Sequence, residues 1–286
     1  MKAIRKSVMA AAGVVMVMGL AACGSDDTKA SGAKGSGAAG VKRTDAPAVL
    51  KAAMAKMAQQ NSYRTVETGK TGDEPESRAE LAFRNEPEAS EVKTSETHML
   101  TVDGVSYMAT KDMPGKSWFT MDEPGSKAKG SAAPSPSASP KENADRRVGG
   151  SVKKWVGALL AASKDLTHVG GEKVSGRATD HYRGTVVLAD LKNYEGPAMT
   201  KDYRDLYLLQ TGKAGMKKAE IDVWVDKDGF IAKEEEKGRT SEGDERITEE
   251  FSDYGADPKI KAPDAKDVAT WSEYIAAAGK NYRKRS

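Results

Sequence analysis

The chain has 286 residues, of which 30% are charged and 6% aromatic, with a formal net charge of +3 and one cysteine. A lone thiol excludes an internal disulfide and a multi-cysteine metal site. The excess charge sits at the start, in Lys2, Arg5 and Lys6, with no acidic residue before Asp26, so the rest is neutral and offers no basic balance for nucleic acid.

Lys2, Arg5 and Lys6 are followed by the apolar stretch Val8 to Leu20, then Ala21, Ala22 and Cys23. A basic start, a short apolar segment and a small-residue site are the build of a secretory signal, here residues 1–22, and the segment is short of the ~20 residues a span needs. Leu20-Ala21-Ala22-Cys23 resembles the lipobox of bacterial lipoproteins. That resemblance implies cleavage before Cys23 and a diacylglyceryl group on its sulfur, hence a protein anchored on the extracytoplasmic side of the cell membrane. Two acyl chains hold a protein stably where one holds it marginally. Residues 23–43, rich in Gly, Ser, Ala and Lys, read as a flexible tether.

Folded structure is predicted from Thr44. Thr44 or Asp45 can cap a helix, Pro47 suits its first turn, and Val49, Leu50, Ala53, Met54 and Met57 recur at helical spacing to about Gln60. The period then becomes two, with strands predicted at Tyr63–Thr68, Ala79–Asn85, Glu91–Val102, Val105–Lys111 and Ser117–Met121. Asp103-Gly104 marks a hairpin. The Pro- and Ser-rich stretch around 125–145 reads as a long exposed loop. A second helix is expected over Ser151–Ser163, with Val152, Trp155, Val156, Leu159 and Leu160 on one face. Strands follow at Val169–Val174 and His181–Leu188, then a helix at Lys201–Gln210. Three long strands, Lys217–Val225, Phe230–Lys237 and Asp244–Tyr254, turn at Asp228-Gly229 and Glu242-Gly243-Asp244. A last helix lies within Asp264–Tyr282, with Val268, Trp271, Tyr274 and Ile275 on one side, and a basic tail ends the chain. Successive strands with tight turns and interspersed helices give an α+β fold with an antiparallel sheet, one face of which is apolar and needs covering.

Catalytic and metal motifs are missing. His98, His168 and His181 lack ligand spacing, and Asp226-Lys227-Asp228-Gly229 departs from a calcium loop after its start. There is no Gly-x-Ser-x-Gly elbow, and Gly149-Gly150 precedes a helix without the Lys-Ser/Thr of a phosphate loop. Carboxylates crowd at Glu234, Glu235, Glu236, Glu242, Asp244 and Glu245; flanking one hairpin, they read as solvent-facing charges that keep the sheet from pairing with other chains. No cofactor, metal or catalytic residue is assigned.

In the order of its parts the chain resembles the lipoprotein-carrier superfamily, in particular the mycobacterial LppX/LprG-like lipoproteins and the related LolA-like carriers. The resemblance rests on the lipobox, the helix after a Gly/Ser tether, and four phrases with the strands around them. These are Val102-Asp103-Gly104-Val105-Ser106-Tyr107, His181-Tyr182-Arg183-Gly184-Thr185-Val186, Val223-Trp224-Val225-Asp226 and Phe251-Ser252-Asp253-Tyr254-Gly255, and the likeness covers most of Asp45 to Pro263, within the domain expected over residues 44–263. It implies a half-barrel, a strongly curved antiparallel sheet wrapped over helices, that carries a lipid or acylated ligand and is not an enzyme. Walls for such a ligand are expected from Val49, Ala53, Met57, Tyr107, Trp118, Trp155, Leu159, Val186, Ile221, Val223, Trp224 and Phe251, not all of which can face the same way. The competing reading is a structural or sensory envelope lipoprotein that uses the same sheet to bind a protein partner.

Overall fold

A computed structural model describes residues 42–121 and 150–285. The signal segment, Cys23, nearly all of the tether and the low-complexity stretch around 125–145 lie outside the described residues. Helix α1 (Ala46–Ala58) starts where Asp45 accepts a hydrogen bond from the Ala48 N–H at 3.2 Å, with Pro47 in the first turn. Leu50, Ala53 and Met57 form its buried stripe. Removing that cap in Asp45→Ala should lower stability by about 1 kcal/mol, read as a shifted urea midpoint with an unchanged slope.

Six short strands follow: β1 (Ser62–Thr71), β2 (Ser77–Arg84), β3 (Ala89–Lys93), β4 (His98–Val102), β5 (Val105–Ala109) and β6 (Trp118–Thr120). Glu91–Val102, expected as one strand, is two. The Thr94 hydroxyl accepts from the Glu96 and Thr97 N–H groups, and the Thr94 N–H donates to the Thr97 carbonyl, closing a turn without Gly or Pro. Between β4 and β5, Asp103 and Gly104 both take positive φ, 51° and 80°, as the tight hairpin turn requires.

Helix α2 (Gly150–Ala162) leads to the hairpin β7 (Thr167–Val174) and β8 (Arg177–Val187). A single helical turn, α3 (Leu188–Leu191), and helix α4 (Lys201–Lys213) follow. Thr200 caps α4 through the Tyr203 N–H. The meander β9 (Lys218–Asp226), β10 (Ile231–Thr240) and β11 (Gly243–Ser252) comes next, then β12 (Val268–Ala269) and α5 (Trp271–Arg285). Val268 is therefore not on the last helix: it pairs in parallel with Trp118, extending the sheet by one strand. Asp226, the start of the calcium-like phrase, accepts from the Asp228 and Phe230 N–H groups and so ties its own hairpin turn.

All strands join one open, curved sheet in the order β12-β6-β5-β4-β3-β2-β1-β11-β10-β9-β8-β7, antiparallel except at β12–β6. This is the α+β fold read from the sequence, in the half-barrel form that the resemblance implies. Helices α1, α2 and α4 cover one face over β8–β11, where Leu50, Met57, Trp155, Leu159, Tyr207, Ile221, Val223 and Phe251 share the main core. Gly184 lets α2 lie close on β8, because a Cβ there would stand 2.9 Å from Leu159 Cδ2 and 3.2 Å from Leu166 Cα. On the opposite face, beneath β2–β6, Ala82, Ala89, Leu100 and Ile260 form a second cluster. Arg64 and Arg84 hold the segment after β11 there through the Pro258 and Ile260 carbonyls, at 2.9 and 3.4 Å.

Candidate functional site

Residues paired across neighbouring strands share a sheet face. On the helix-covered face the register links Thr65, Leu81, Val92, Met99, Met108 and Phe119 into one transverse row over β1–β6. Leu81 and Phe119 are buried, the latter stacked on Tyr274 of α5 with centroids 3.9 Å apart, while Val92, Met99 and Met108 are only half-buried. An apolar strip thus leads from the main core across the part of the sheet away from α1, α2 and α4. Unbranched methionine side chains repack readily around irregular apolar shapes.

Next to this strip runs a row of a different kind. Glu67 of β1 pairs with Glu249 of β11, which pairs with Glu234 of β10. Glu236, two positions on from Glu234, and Glu245, four positions before Glu249, point to the same face by alternation along the strands. Glu234, Glu236 and Glu249 are 0%, 4% and 8% exposed, whereas Glu67 and Glu245 are half-buried. The carboxylates expected to face solvent therefore divide. Glu235 points to the opposite face and Glu242 and Asp244 are exposed, but Glu234 and Glu236 are turned inward under the helices.

Burial acts on the carboxyls of Glu67, Glu234, Glu236 and Glu245. Neither Glu234 oxygen accepts a hydrogen bond, and burial together with Glu249 pushes its carboxyl well above the usual range. Glu236 accepts from the Tyr207 hydroxyl at 2.5 Å; burial still pushes it up to about 7 against that bond and the nearby Lys154. Burial raises Glu67 and Glu245 as well, although the Thr71 hydroxyl donates to Glu245 at 3.2 Å. Lys154 of α2 faces the group, with its ammonium donating to Gln210 of α4 at 3.1 Å.

The other face of β8–β10 carries a network of paired charges. Asp222, 0% exposed, takes His181 Nε2 at 2.5 Å, Arg183 Nε at 2.7 Å and Lys237 Nζ at 3.1 Å. Lys237 also meets Glu235 at 2.6 Å, and His181 stacks on Trp224 with centroids 4.4 Å apart. Among the described residues no group of three His, Cys, Asp or Glu is placed to hold a metal ion.

The twelve residues expected to wall a ligand fall in three places. Ala53, Met57, Trp155, Leu159, Val186, Ile221, Val223 and Phe251 lie in the main core between helices and sheet, with Val49 packed against it. Tyr107 and Trp118 pack on the second cluster, on the opposite face. Trp224 also faces away from the helices, with Val174 and Ala232. Sequence reasoning missed Val92, Met99 and Met108, which only cross-strand register aligns, and the inward glutamates, which only a helix-facing phase for β10 would have found.

No family model matches the chain. It is similar to a 31.2 kDa Streptomyces griseus protein named as uncharacterized, 32% identical over 127 residues, or 44% of this chain and 41% of that one. It is also similar to a Streptomyces coelicolor protein named as a proposed lipoprotein, 29% identical over 121 residues, or 42% and 33% of the two chains. The matches thus span less than half the length of either relative. Among solved structures, its fold is similar to the lipoprotein LppX of Mycobacterium tuberculosis, with TM-score 0.46 and 12% identity over 75% of this chain and 97% of that one. It is likewise similar to LprF of Mycobacterium bovis, with TM-score 0.42 and 16% identity over 77% and 97%. The mycobacterial lipoprotein LppX, a member of the group named in the resemblance, is thus among the solved structures of similar fold.

Proposed function

We propose that this chain is an extracytoplasmic lipoprotein, held to the membrane through a diacylated Cys23, whose half-barrel binds and carries an apolar ligand. The observation that carries the reading is the apolar row in which buried Leu81 is followed by half-buried Val92, Met99 and Met108, on the sheet face that continues beneath the helices. Apolar rows on that face of a sheet want cover, and an acyl chain laid across β2–β5 would supply it. At the inner end of the row Val49, Ala53, Met57, Trp155, Leu159, Val186, Ile221, Val223 and Phe251 would border the ligand. Tyr107, Trp118 and Trp224, on the other face, would serve packing instead. The reading assigns no catalytic residue.

Native mass spectrometry of the protein purified from its own membrane tests it. A co-purifying lipid is expected, and Met99→Asp should reduce its occupancy several-fold by placing a carboxylate in the row. Cys23→Ala should abolish labelling by a palmitate analogue. A consistently empty domain that takes up no added lipid, or capture of a defined protein partner in place of lipid, overturns the reading.

A further inference from the structure

We propose that Phe119, Tyr274 and Trp271 form the end wall of the apolar strip and set the length of alkyl chain that it accepts. The inference rests on the carrier reading above and adds to it the class of ligand, one straight alkyl chain of about 15 carbons. The strip ends at Phe119, which pairs with Met108 and is 2% exposed. Its ring stacks on Tyr274 with an interplanar angle of 9°, and Trp271 stands 5.7 Å from both rings. Since Phe119 points to the strip face, the rings packed on it stand at that face, and α5 closes the far end.

The wall is held in place. Val268 and Ala269 of β12 pair with Trp118 and Phe119 of β6, and Ala269 is buried. One residue on, Thr270 and Glu273 cap α5 reciprocally. The Glu273 N–H donates to the Thr270 hydroxyl oxygen at 3.2 Å, and the Thr270 N–H and hydroxyl donate to the Glu273 carboxylate at 2.8 and 3.0 Å. Trp271 and Tyr274 thus leave the first turn of a helix whose start is fixed, and their rings have only two side-chain torsions to order. The methionine floor yields to the shape of a ligand; the aromatic end does not.

The strip is one residue wide. Two residues from Val92, Met99 and Met108 on the same face, about 7 Å away, runs the row Ser90, Thr101 and Ser106. Ser90 and Ser106 are buried, and the Thr101 and Ser106 hydroxyls stand 3.3 Å apart. Thr97 and Thr110 lie two residues from Met99 and Met108 on the other side. A second alkyl chain beside the first would lie over these hydroxyls and take water from them without a hydrogen bond in return. The floor therefore suits a single chain.

The distance between the ends fixes the length. From Leu81 on β2 to Phe119 on β6 the row crosses four strand spacings, about 19 Å at about 4.8 Å each. An extended alkyl chain, with C–C bonds of about 1.52 Å at tetrahedral angles, advances about 1.25 Å per carbon, so about 15 carbons fill the row. Both ends are shut. Leu81 belongs to the main core and Phe119 is buried in the aromatic stack, while Val92, Met99 and Met108 between them are half-buried. Each methylene laid on the strip raises affinity by up to about fourfold. A longer chain must lift off into water, where further methylenes gain nothing.

The test is titration of the full chain with saturated fatty acids of about 10 to 20 carbons, each below its micellar concentration, with bound species read by native mass spectrometry. One fatty acid per chain is expected, its affinity climbing steeply up to about 15 carbons and then level. Tyr274→Ala should move that break about three carbons longer, the room freed by a ring stacked at 3.9 Å. Trp271→Ala should move it in the same direction. Ile275→Ala, at the exposed neighbour on α5, should leave it where it is. A climb with no break, a break unmoved in both ring variants, or one that Ile275→Ala moves as far overturns the inference but leaves the carrier reading standing. So does a lipid that co-purifies while every fatty acid fails to bind. Absence of both the lipid and fatty-acid binding overturns the two readings together.

Discussion

Glu236→Gln should unfold at a higher urea concentration than the parent at pH 8 and at the same concentration at pH 4. In the folded protein, burial pushes this carboxyl up to about 7, overriding the Tyr207 hydroxyl bond and Lys154, whereas an unperturbed glutamate ionises near 4.5. A carboxyl raised in the folded state contributes its full stability below the unfolded value, and that contribution is lost as pH rises through the folded value. The span from 4.5 to about 7 corresponds to about 3 kcal/mol, lost between those two pH values. Glutamine keeps an acceptor for the Tyr207 hydroxyl and cannot ionise, so the variant should gain about 3 kcal/mol over the parent at pH 8. Glu234→Gln should move in the same direction, since burial raises that carboxyl too. A difference independent of pH, or a variant less stable than its parent at pH 8, would show that Glu236 is not held as a buried acid.

Such a row of buried acids is an odd thing to place under helices for stability alone. Its cost falls at neutral pH, on the layer where α2 and α4 meet β10 and β11, and it falls on glutamates where any apolar residue of similar size would pack without penalty.

The sequence made the helices and most hairpins legible because each declares itself locally. Leu50, Ala53 and Met57 recur at helical spacing, and Asp103-Gly104 can hardly be anything but a turn. Within Glu91–Val102 no Gly, Pro or Asn interrupts the run, so the turn built on the Thr94 hydroxyl left no trace. Strand β10 is harder still. Lys233-Glu234-Glu235-Glu236-Lys237 has no apolar alternation to say which residues face the helices, and the burial of Glu234 and Glu236 follows only from pairing with Glu249 and Ile247. In β9, Val223, Trp224 and Val225 are all buried, because both faces of the sheet are covered there, so size and hydrophobicity could not assign Trp224 to a face. The apolar row at Val92, Met99 and Met108 is assembled from strands of five residues each, and register, which no single strand encodes, is what aligns it.

Asp222→Asn should show the opposite pH dependence, on the opposite face of the same sheet. Burial alone would raise the Asp222 carboxyl, but hydrogen bonds from His181, Arg183 and Lys237 outweigh it and hold the group at about 2, below the ordinary 3.8. A depressed carboxyl contributes stability that is present above the unfolded value and is lost as pH falls through the folded one. The span is worth at most about 2 kcal/mol, because Arg183 and Lys237 are 42% and 28% exposed and water screens their share. Asparagine cannot carry the charge and turns an N–H toward one of three donors. The variant should therefore lose up to about 2 kcal/mol at pH 7 in urea unfolding, with the gap closing as pH falls toward 2. Added salt should narrow the gap at pH 7 as well, since two of the three partners reach solvent. Because the two faces titrate in opposite senses, the parent domain should be most stable in the mildly acidic interval between the Asp222 and Glu236 transitions. An Asp222→Asn gap that stays constant from pH 7 to pH 2 would mean that the residue serves packing, not charge.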